Sequence, residues 1–441
     1  MSRFPWPEAT TSPYIASVAS RRIPEGRLGR FARLAAAGAR SGAGLLLSKD
    51  GSRAAQSTAE VLGTLRGLAA KVGQMASYVD GVVPEGQRDA YELAMKGLRA
   101  AAPTSAAPEV RARVEHELGS PIDQLFAEWA DEPFASASIG QVHRARLLDG
   151  REVAVKVQHP GITKALEADL QNAGIVEQMA GMLGARRFNS KAMLEVVRTR
   201  FREELDYDLE ARNIETFRVV HAGDPHIRLP EVVPDRSAKR VLTTRLVQGK
   251  SFDEACAASV AEREAWARTM WRFVFKGNLK AGLFNADPHP GNYFFHDEGK
   301  VTFLDFGCVQ PISPVHRKHA SAMHRGAIEK NEAKFRAATR LMLGTFPGPY
   351  EDALYAFIRA CFEPLWAQPF HMTRTYAASL VEQAKDMGQI ARSLKDHEVV
   401  PVSEDFLFIN RLQFGFYSVL ARLDVTLDYA EVERDFWDEL G

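Results

Sequence analysis

Apolar and polar residues alternate most sharply at Glu152-Val153-Ala154-Val155-Lys156-Val157, the period of a half-buried strand. Around this run the pattern predicts a strand-rich part over about 131–160, preceded by a helix over 107–117. Long charged helical patterns follow at 162–184 and 190–221, then strands around 226–247. From 251 onward the chain reads as mostly helical, with one exception. Tyr293–Phe295 and Val301–Leu304 are short apolar runs flanking Asp297-Glu298-Gly299-Lys300, which predicts a hairpin. Nearer the amino terminus, Ala- and Leu-rich stretches at 28–48, 56–79 and 84–100 favour helix. They run into the linker-like AAAPTSAAP at 100–108. Residues 1–30 carry Pro5, Pro7, Pro13 and Pro24 and read as a disordered lead.

Composition narrows the class. The 441 residues are 46% hydrophobic and 25% charged, an ordinary globular balance long enough for two or three packed units. Lys+Arg and Asp+Glu each number 56, so no global charge draws nucleic acid or anionic lipid. Three widely spaced cysteines, Cys256, Cys308 and Cys361, argue against a disulfide framework or structural zinc and for a reducing compartment. With neither a secretory signal nor an apolar run of ~18 residues, the expectation is a cytoplasmic protein.

The candidate chemistry lies at 284–307. Asp287 is followed by Asn292, then the hairpin, then Asp305-Phe306-Gly307. Kinase-like phosphotransferases hold ATP and its metals in this order: a loop Asp facing the acceptor, a loop Asn on one metal, and the Asp of Asp-Phe-Gly on the other. Mg²⁺ is a hard cation, so Asn292 and Asp305 suit it as oxygen ligands. The hairpin brings the two to one end.

A phosphate loop and a strand lysine should lie upstream. Lys156 stands on the alternating strand, placed to meet the α- and β-phosphates and counted with Asp287 among the catalytic residues. Ala135, Ser136, Ala137, Ser138, Ile139, Gly140 and Val142 occupy the loop position, where small side chains let backbone N–H groups approach phosphate. Alanine resists positive φ, so this loop should be stiffer than a glycine-rich one. A lysine so close to a core needs a carboxylate. The acidic segment 203–210 supplies candidates, Glu204 first and Glu210 second. Adenine would lie against the backbone of 243–247, through Thr244, Arg245 and Leu246. After Gly307 there is no Ala-Pro-Glu and no long activation segment, which leaves little platform for a peptide substrate.

These residues together resemble the UbiB/ADCK family of atypical kinases, and its coenzyme-Q-associated subgroup in particular. The resemblance rests on Lys71-Val72-Gly73-Gln74, the loop 135–143, Val153–Lys156, Glu204-Leu205-Asp206-Tyr207, Ala286–Asn292 and Asp305-Phe306-Gly307. It implies an α+β, bilobal protein-kinase-like fold with ATP and Mg²⁺ between the lobes. The domains would be the lead, a helical extension over 31–105, an N-lobe over 106–248 and a mostly helical C-lobe over 249–441. Lys71 and Gln74 would form a lid pointing into the site. The implied function is ATP hydrolysis or phosphoryl transfer in isoprenoid quinone or lipid metabolism, with a nucleotide-binding scaffold as the alternative. The implied partners are ATP, a quinone precursor or lipid, a peripheral membrane contact and a second copy of the chain, with no nucleic acid. Asn285 stands where many relatives have His, and Arg245 where the hinge often has Glu. His289 reads as a loop-stabilising residue rather than a base or ligand.

Overall fold

The computed structural model describes residues 104–136, 139–167, 199, 202–285, 288–393 and 412–437. The expected lead, nearly all of the extension with Lys71 and Gln74, and the site candidates Ala137, Ser138 and Asp287 lie outside them.

The alternation at 152–157 is the key to the amino-terminal lobe. Helices α1 (Ala107–Leu118) and α2 (Ile122–Leu125) precede strands β1 (Glu128–Trp129), β2 (Ala135–Ser136), β3 (Gly140–Arg146) and β4 (Glu152–Gln158). After β4 come helix α3 (Tyr207–Val220), β5 (Ile227–Arg228) and β6 (Val241–Arg245). The sheet is antiparallel, in the order β1-β3-β4-β6 with β2 added to β3. Val153, Val155 and Val157 are wholly buried and share a core with Val110 and Val114 of α1 and Ile122 and Leu125 of α2. Burying each valine is worth roughly 1.5–3 kcal/mol. Period two then sends Ala154 and Lys156 to the opposite face.

Helix α3 covers that opposite side. Asp206 caps it by accepting the Leu209 N–H, and Tyr207, Glu210, Ile214 and Phe217 form its buried stripe. Of the strands expected over 226–247, β6 joins this sheet and β5 does not. It pairs in parallel with the second strand of the 293–303 hairpin, Ile227 opposite Val301. A two-residue strand carries no periodicity, so only tertiary packing decides its sheet.

The carboxy-terminal lobe is built on a buried helix. Short α4 (Phe252–Cys256) and long α5 (Val260–Lys276) each begin with a capping box, at Ser251/Glu254 and Ser259/Glu262. A π-turn at Gly277–Ala281 leads into β7 (Leu283–Asn285), and a 3₁₀ turn at Pro290–Asn292 leads into β8 (Tyr293–Phe295). Strand β9 (Val301–Phe303) closes the expected antiparallel hairpin, with Tyr293 opposite Phe303. Strand β10 (Val309–Pro311) pairs back onto β7, and helix α6 (Pro314–Ile328) starts directly afterwards.

Helices α7 (Glu332–Leu343), α8 (Pro349–Cys361), α9 (Glu363–Trp366) and α10 (Arg374–Ser393) follow. The described chain then resumes with a π-turn at Leu412–Phe416, α11 (Tyr417–Leu423) and α12 (Tyr429–Trp437). Trp271 of α5 lies 4.4 Å from the Tyr429 ring and 5.8 Å from Tyr417. Its Nε1–H donates to the fully buried Glu433 carboxylate at 3.0 Å, and His324 Nδ1 meets the other carboxylate oxygen at 2.8 Å. No described helix is long and apolar enough to cross a membrane.

A chain of rings joins the lobes. Phe306 packs on Phe217 at 5.1 Å, Phe217 on Phe273 at 5.4 Å, and Phe273 on Phe303. His221 is inserted among them, stacked on Phe273 at 4.9 Å, with neither ring nitrogen finding a partner among the described residues. Burial drives its pKa from 6.5 down to about 3, aided by Lys276, Arg272 and Lys280 and opposed by Asp224. The neutral imidazole is therefore the native form, and its contribution to stability is complete above pH 6.5 and lost as the pH falls toward 3. Each pH unit in that window removes about 1.4 kcal/mol. His221→Phe should flatten the stability profile between pH 6 and 4, measured by urea unfolding at each pH. A profile parallel to that of the parent would mean that another group carries the acid sensitivity.

Candidate nucleotide site

The site begins with the cleft face of the sheet. Register places Val142 of β3 and Leu242 of β6 on either side of Lys156, and Thr244 opposite Ala154. On this face of three strands Lys156 is flanked by Val142 and Leu242, with Ala154, Thr244 and Arg144 one step further along. The Lys156 ammonium reaches both Glu210 oxygens, at 2.7 and 2.9 Å, and lies 3.9 Å from Asp305 Oδ2. The Tyr207 ring lies beneath it at 4.9 Å. Burial alone would lower the lysine pKa, but the Asp305 and Glu210 carboxylates outweigh it and hold the ammonium well above its ordinary value. Burial pushes the Glu210 carboxyl upward, and Lys156 opposes that shift.

The partner of Lys156 is therefore Glu210, not Glu204. The reason is helical phase. Asp206 is the cap, so α3 starts at Tyr207, and Glu210 sits one turn in, on the face turned toward the sheet. Glu204 precedes the cap, in a separate buried turn.

The phosphate-side loop is described at its two ends. Ala135 and Ser136 form β2, opposite Val142 and Gln141. The Ser136 hydroxyl is buried and meets no partner among the described residues. Ile139 is buried, and Gly140 begins β3 under extreme crowding. A Cβ there would stand 2.6 Å from the Tyr207 hydroxyl and 2.7 Å from the Val157 carbonyl. Glycine is needed at 140 for this close approach of strand to helix.

At the other end of the cleft, two expected contacts are already spent. The Arg245 N–H donates to the Glu231 carbonyl at 2.8 Å, and the Leu246 N–H to the Glu152 carbonyl at 3.0 Å. Ladder pairing extends past Thr244, so these two amides cannot also donate to an adenine. The Arg245 side chain turns outward to Glu231 at 3.7 Å, with 64% of it exposed. Beyond the strand, Gly249 runs flush against β8, where a Cβ would meet Phe294 and Phe295 within 3.1 Å.

The hairpin collects the remaining candidates. The Leu304 N–H donates to the Asn292 carbonyl at 3.0 Å, closing the hairpin end with Asp305 next in the chain. One pocket is lined by Asn285, Pro288, Asn292, Leu304 and Asp305 together. His289 Nδ1 accepts the Gly291 N–H at 3.0 Å, shaping the turn that carries Asn292. The Asp305 Oδ1 atom accepts the Gly307 N–H at 2.9 Å. Asn285 donates its carboxamide N–H to the Asp305 carbonyl at 2.7 Å. Asn213 of α3, which the pattern reading did not single out, donates likewise to the Phe306 carbonyl at 2.9 Å. The signal for Asn213 was its spacing three residues after Glu210, which puts both on one helical face.

A strand lysine paired to a helix glutamate, above an Asp-Phe-Gly that ends a hairpin, defines a kinase-like protein. Residues 97–339 match the model of the ABC1 atypical kinase-like domain, and the chain belongs to that family. An uncharacterised protein of Mycobacterium tuberculosis is 38% identical over 226 residues, covering 50% of this chain and 46% of that protein. The mitochondrial atypical kinase coq-8 of Caenorhabditis elegans is 33% identical over 373 residues, covering 82% of this chain and 48% of that one. The chain thus spans about half the length of these relatives. Among solved structures, the Rv3197–erythromycin complex from M. tuberculosis aligns at 28% identity with a TM-score of 0.58, covering 85% of this chain and 93% of that one.

Removing the charge of Glu210 should expose the dependence of the site on it. Glu210→Gln leaves a mostly buried ammonium without its close partner, and should cost about 3 kcal/mol in urea unfolding. Replacing the pair together, Lys156→Met with Glu210→Leu, should recover much of that loss, because the two most buried charges leave together and Asp305, 31% exposed, keeps contact with water. A double variant less stable than Glu210→Gln would contradict this account.

Proposed function

We propose that the protein binds Mg-ATP in the cleft between its lobes and uses it for hydrolysis or for phosphoryl transfer to a small acceptor. The observation that carries this reading is the Lys156 ammonium, held 2.7 Å from Glu210 and 3.9 Å from Asp305. A cation fixed in this way is placed to meet phosphate oxygens rather than only to balance a core carboxylate. The Ser136 hydroxyl, without a partner among the described residues, adds a hydrogen-bond donor on the loop side. Asn292 and Asp305 lie at one pocket, and their side chains carry the oxygen type that Mg²⁺ takes.

In this reading Lys156 clamps the α- and β-phosphates, with Ala135, Ser136, Ile139, Gly140 and Val142 around the nucleotide and Ala137 and Ser138 completing the loop. Asn292 and Asp305 hold the metal, whose charge offsets that on the phosphate oxygens. Asp287 accepts the proton of the attacking hydroxyl or water as the γ-phosphoryl leaves ADP. Because Arg245 and Leu246 have spent their N–H groups, adenine is read by carbonyls of the strand and by a donor beyond Leu246. Lys71 and Gln74, outside the described residues, keep the lid role that the family resemblance implies.

A small acceptor is favoured over a peptide because residues 308–313 hold only the short β10 before α6 begins at Pro314. The resemblance to the coenzyme-Q-associated subgroup implies an isoprenoid quinone precursor or lipid as that acceptor, met at a membrane surface.

The test is purification followed by nucleotide binding and ATP turnover, with and without phenolic quinone precursors and liposomes. Mg-ATP at ~100 times its dissociation constant should stabilise the fold by about 2.7 kcal/mol. Asp305→Asn should lose most of that gain, read against the melting of the same variant without ligand. An unchanged Mg-ATP thermal shift in this variant would remove Asp305 from metal binding. Binding without turnover under any of these conditions would turn the reading toward a nucleotide-dependent scaffold.

A further inference from the structure

We propose that Asn213 is a positioning residue that ties the setting of helix α3 to the presentation of Asp305. The inference rests on the Mg-ATP reading above and adds a residue that reading does not use. Two consecutive carbonyls, those of Asp305 and Phe306, each receive one carboxamide N–H. Asn285 of β7 supplies the first at 2.7 Å, and Asn213 of α3 supplies the second at 2.9 Å. Each carbonyl belongs to a different peptide plane, so the two bonds fix both planes that flank Phe306.

With those planes fixed, Asp305 has little freedom left. Its Oδ1 atom accepts the Gly307 N–H at 2.9 Å, and its Oδ2 atom faces Lys156 at 3.9 Å. The two asparagines approach from different elements, α3 against the sheet and β7 within the carboxy-terminal lobe. The Asp-Phe-Gly backbone is therefore held from both lobes at once.

The position of Asn213 on α3 gives this hold its meaning. Glu210, Asn213 and Phe217 occupy one helical face at i, i+3 and i+7. Glu210 holds Lys156, Asn213 holds the Phe306 carbonyl, and the Phe217 ring lies 5.1 Å from the Phe306 ring. A rotation or displacement of α3 that breaks the Lys156 pair must also release the Phe306 carbonyl. One helix thus sets both the phosphate cation and the metal carboxylate, and Asn213 is the polar link between them.

The test uses the full-length protein and compares the parent with Asn213→Leu, which removes the donor, and Asn213→Asp, which turns an acceptor toward the carbonyl. Thr216→Val, on the exposed face of α3, is the control. The readout is the Mg²⁺ concentration giving half of the ATP-induced thermal shift, alongside ATP affinity in chelator without metal. Both Asn213 variants should need about 10-fold more Mg²⁺, while metal-free ATP affinity changes less than about twofold. That 10-fold corresponds to about 1.4 kcal/mol. Asn285→Leu should act in the same direction, and the double variant should fall short of the product of the two single effects because they share one backbone segment.

Equal Mg²⁺ requirements in parent and Asn213 variants would overturn the proposal, as would a parallel loss of metal-free affinity. If Asn213→Leu does not fold, Asn213→Ser is measured in its place. If the parent shows no Mg-dependent binding, the function proposed above fails, and the clamp is judged separately by hydrogen exchange. Asn213 variants should then speed exchange of the Gly307 amide, and unchanged exchange would overturn the clamp.

Discussion

Everything in the cleft depends on keeping one lysine charged inside a folded sheet. A primary ammonium loses much of its hydration on the Lys156 strand, and only close carboxylates make that tolerable. Glu210 meets it with both oxygens. That requirement fixes the distance between α3 and β4, and the fixed distance has consequences. Tyr207 is pressed onto Gly140, so no larger residue fits at the start of β3. Phe217 is brought onto Phe306, which seats the Asp-Phe-Gly turn. The same helix therefore organises the sheet above it and the hairpin below it.

What could be read from sequence alone was whatever has a short period. The strand at 152–157 and the hairpin at 293–303 are local patterns, and both appear where the alternation places them. The choice between Glu204 and Glu210 is different in kind. Both are acids within one turn or two of each other, and composition cannot rank them. The ranking follows from Asp206, whose capping bond sets where the helix starts and hence which carboxylate faces the sheet. The fate of β5 and of the Arg245 and Leu246 amides was hidden for a related reason. Register and sheet membership depend on partners distant in sequence, and a two-residue strand carries no signal of its own.

Asn213 and Asn285 show a further limit. A lone asparagine on a helix or strand end is among the least informative residues in a sequence, since its usual place is on the surface or in a turn. Here both donate to main-chain carbonyls of one motif, and their importance comes from where those carbonyls lie. At position 285 a carboxamide is sufficient to reach the Asp305 carbonyl, so the departure from histidine leaves that carbonyl satisfied.

The buried Glu433 has a bearing on when the site can come into being during synthesis. Its carboxylate accepts from Trp271, 162 residues earlier in the chain, and Phe416 lines the same pocket as Asn292 and Asp305. The helix that supports the hairpin is thus completed by the last described element. While the ribosome is still making the segment between them, the indole N–H of Trp271 and the ring of His324 lack their carboxylate, and apolar surface on α5 stays uncovered. Contacts of such long sequence separation form late and slowly. A nascent chain that already contains every candidate catalytic residue consequently still lacks these contacts, and the lobe beneath the cleft has its full set only once the carboxy-terminal helices have been made.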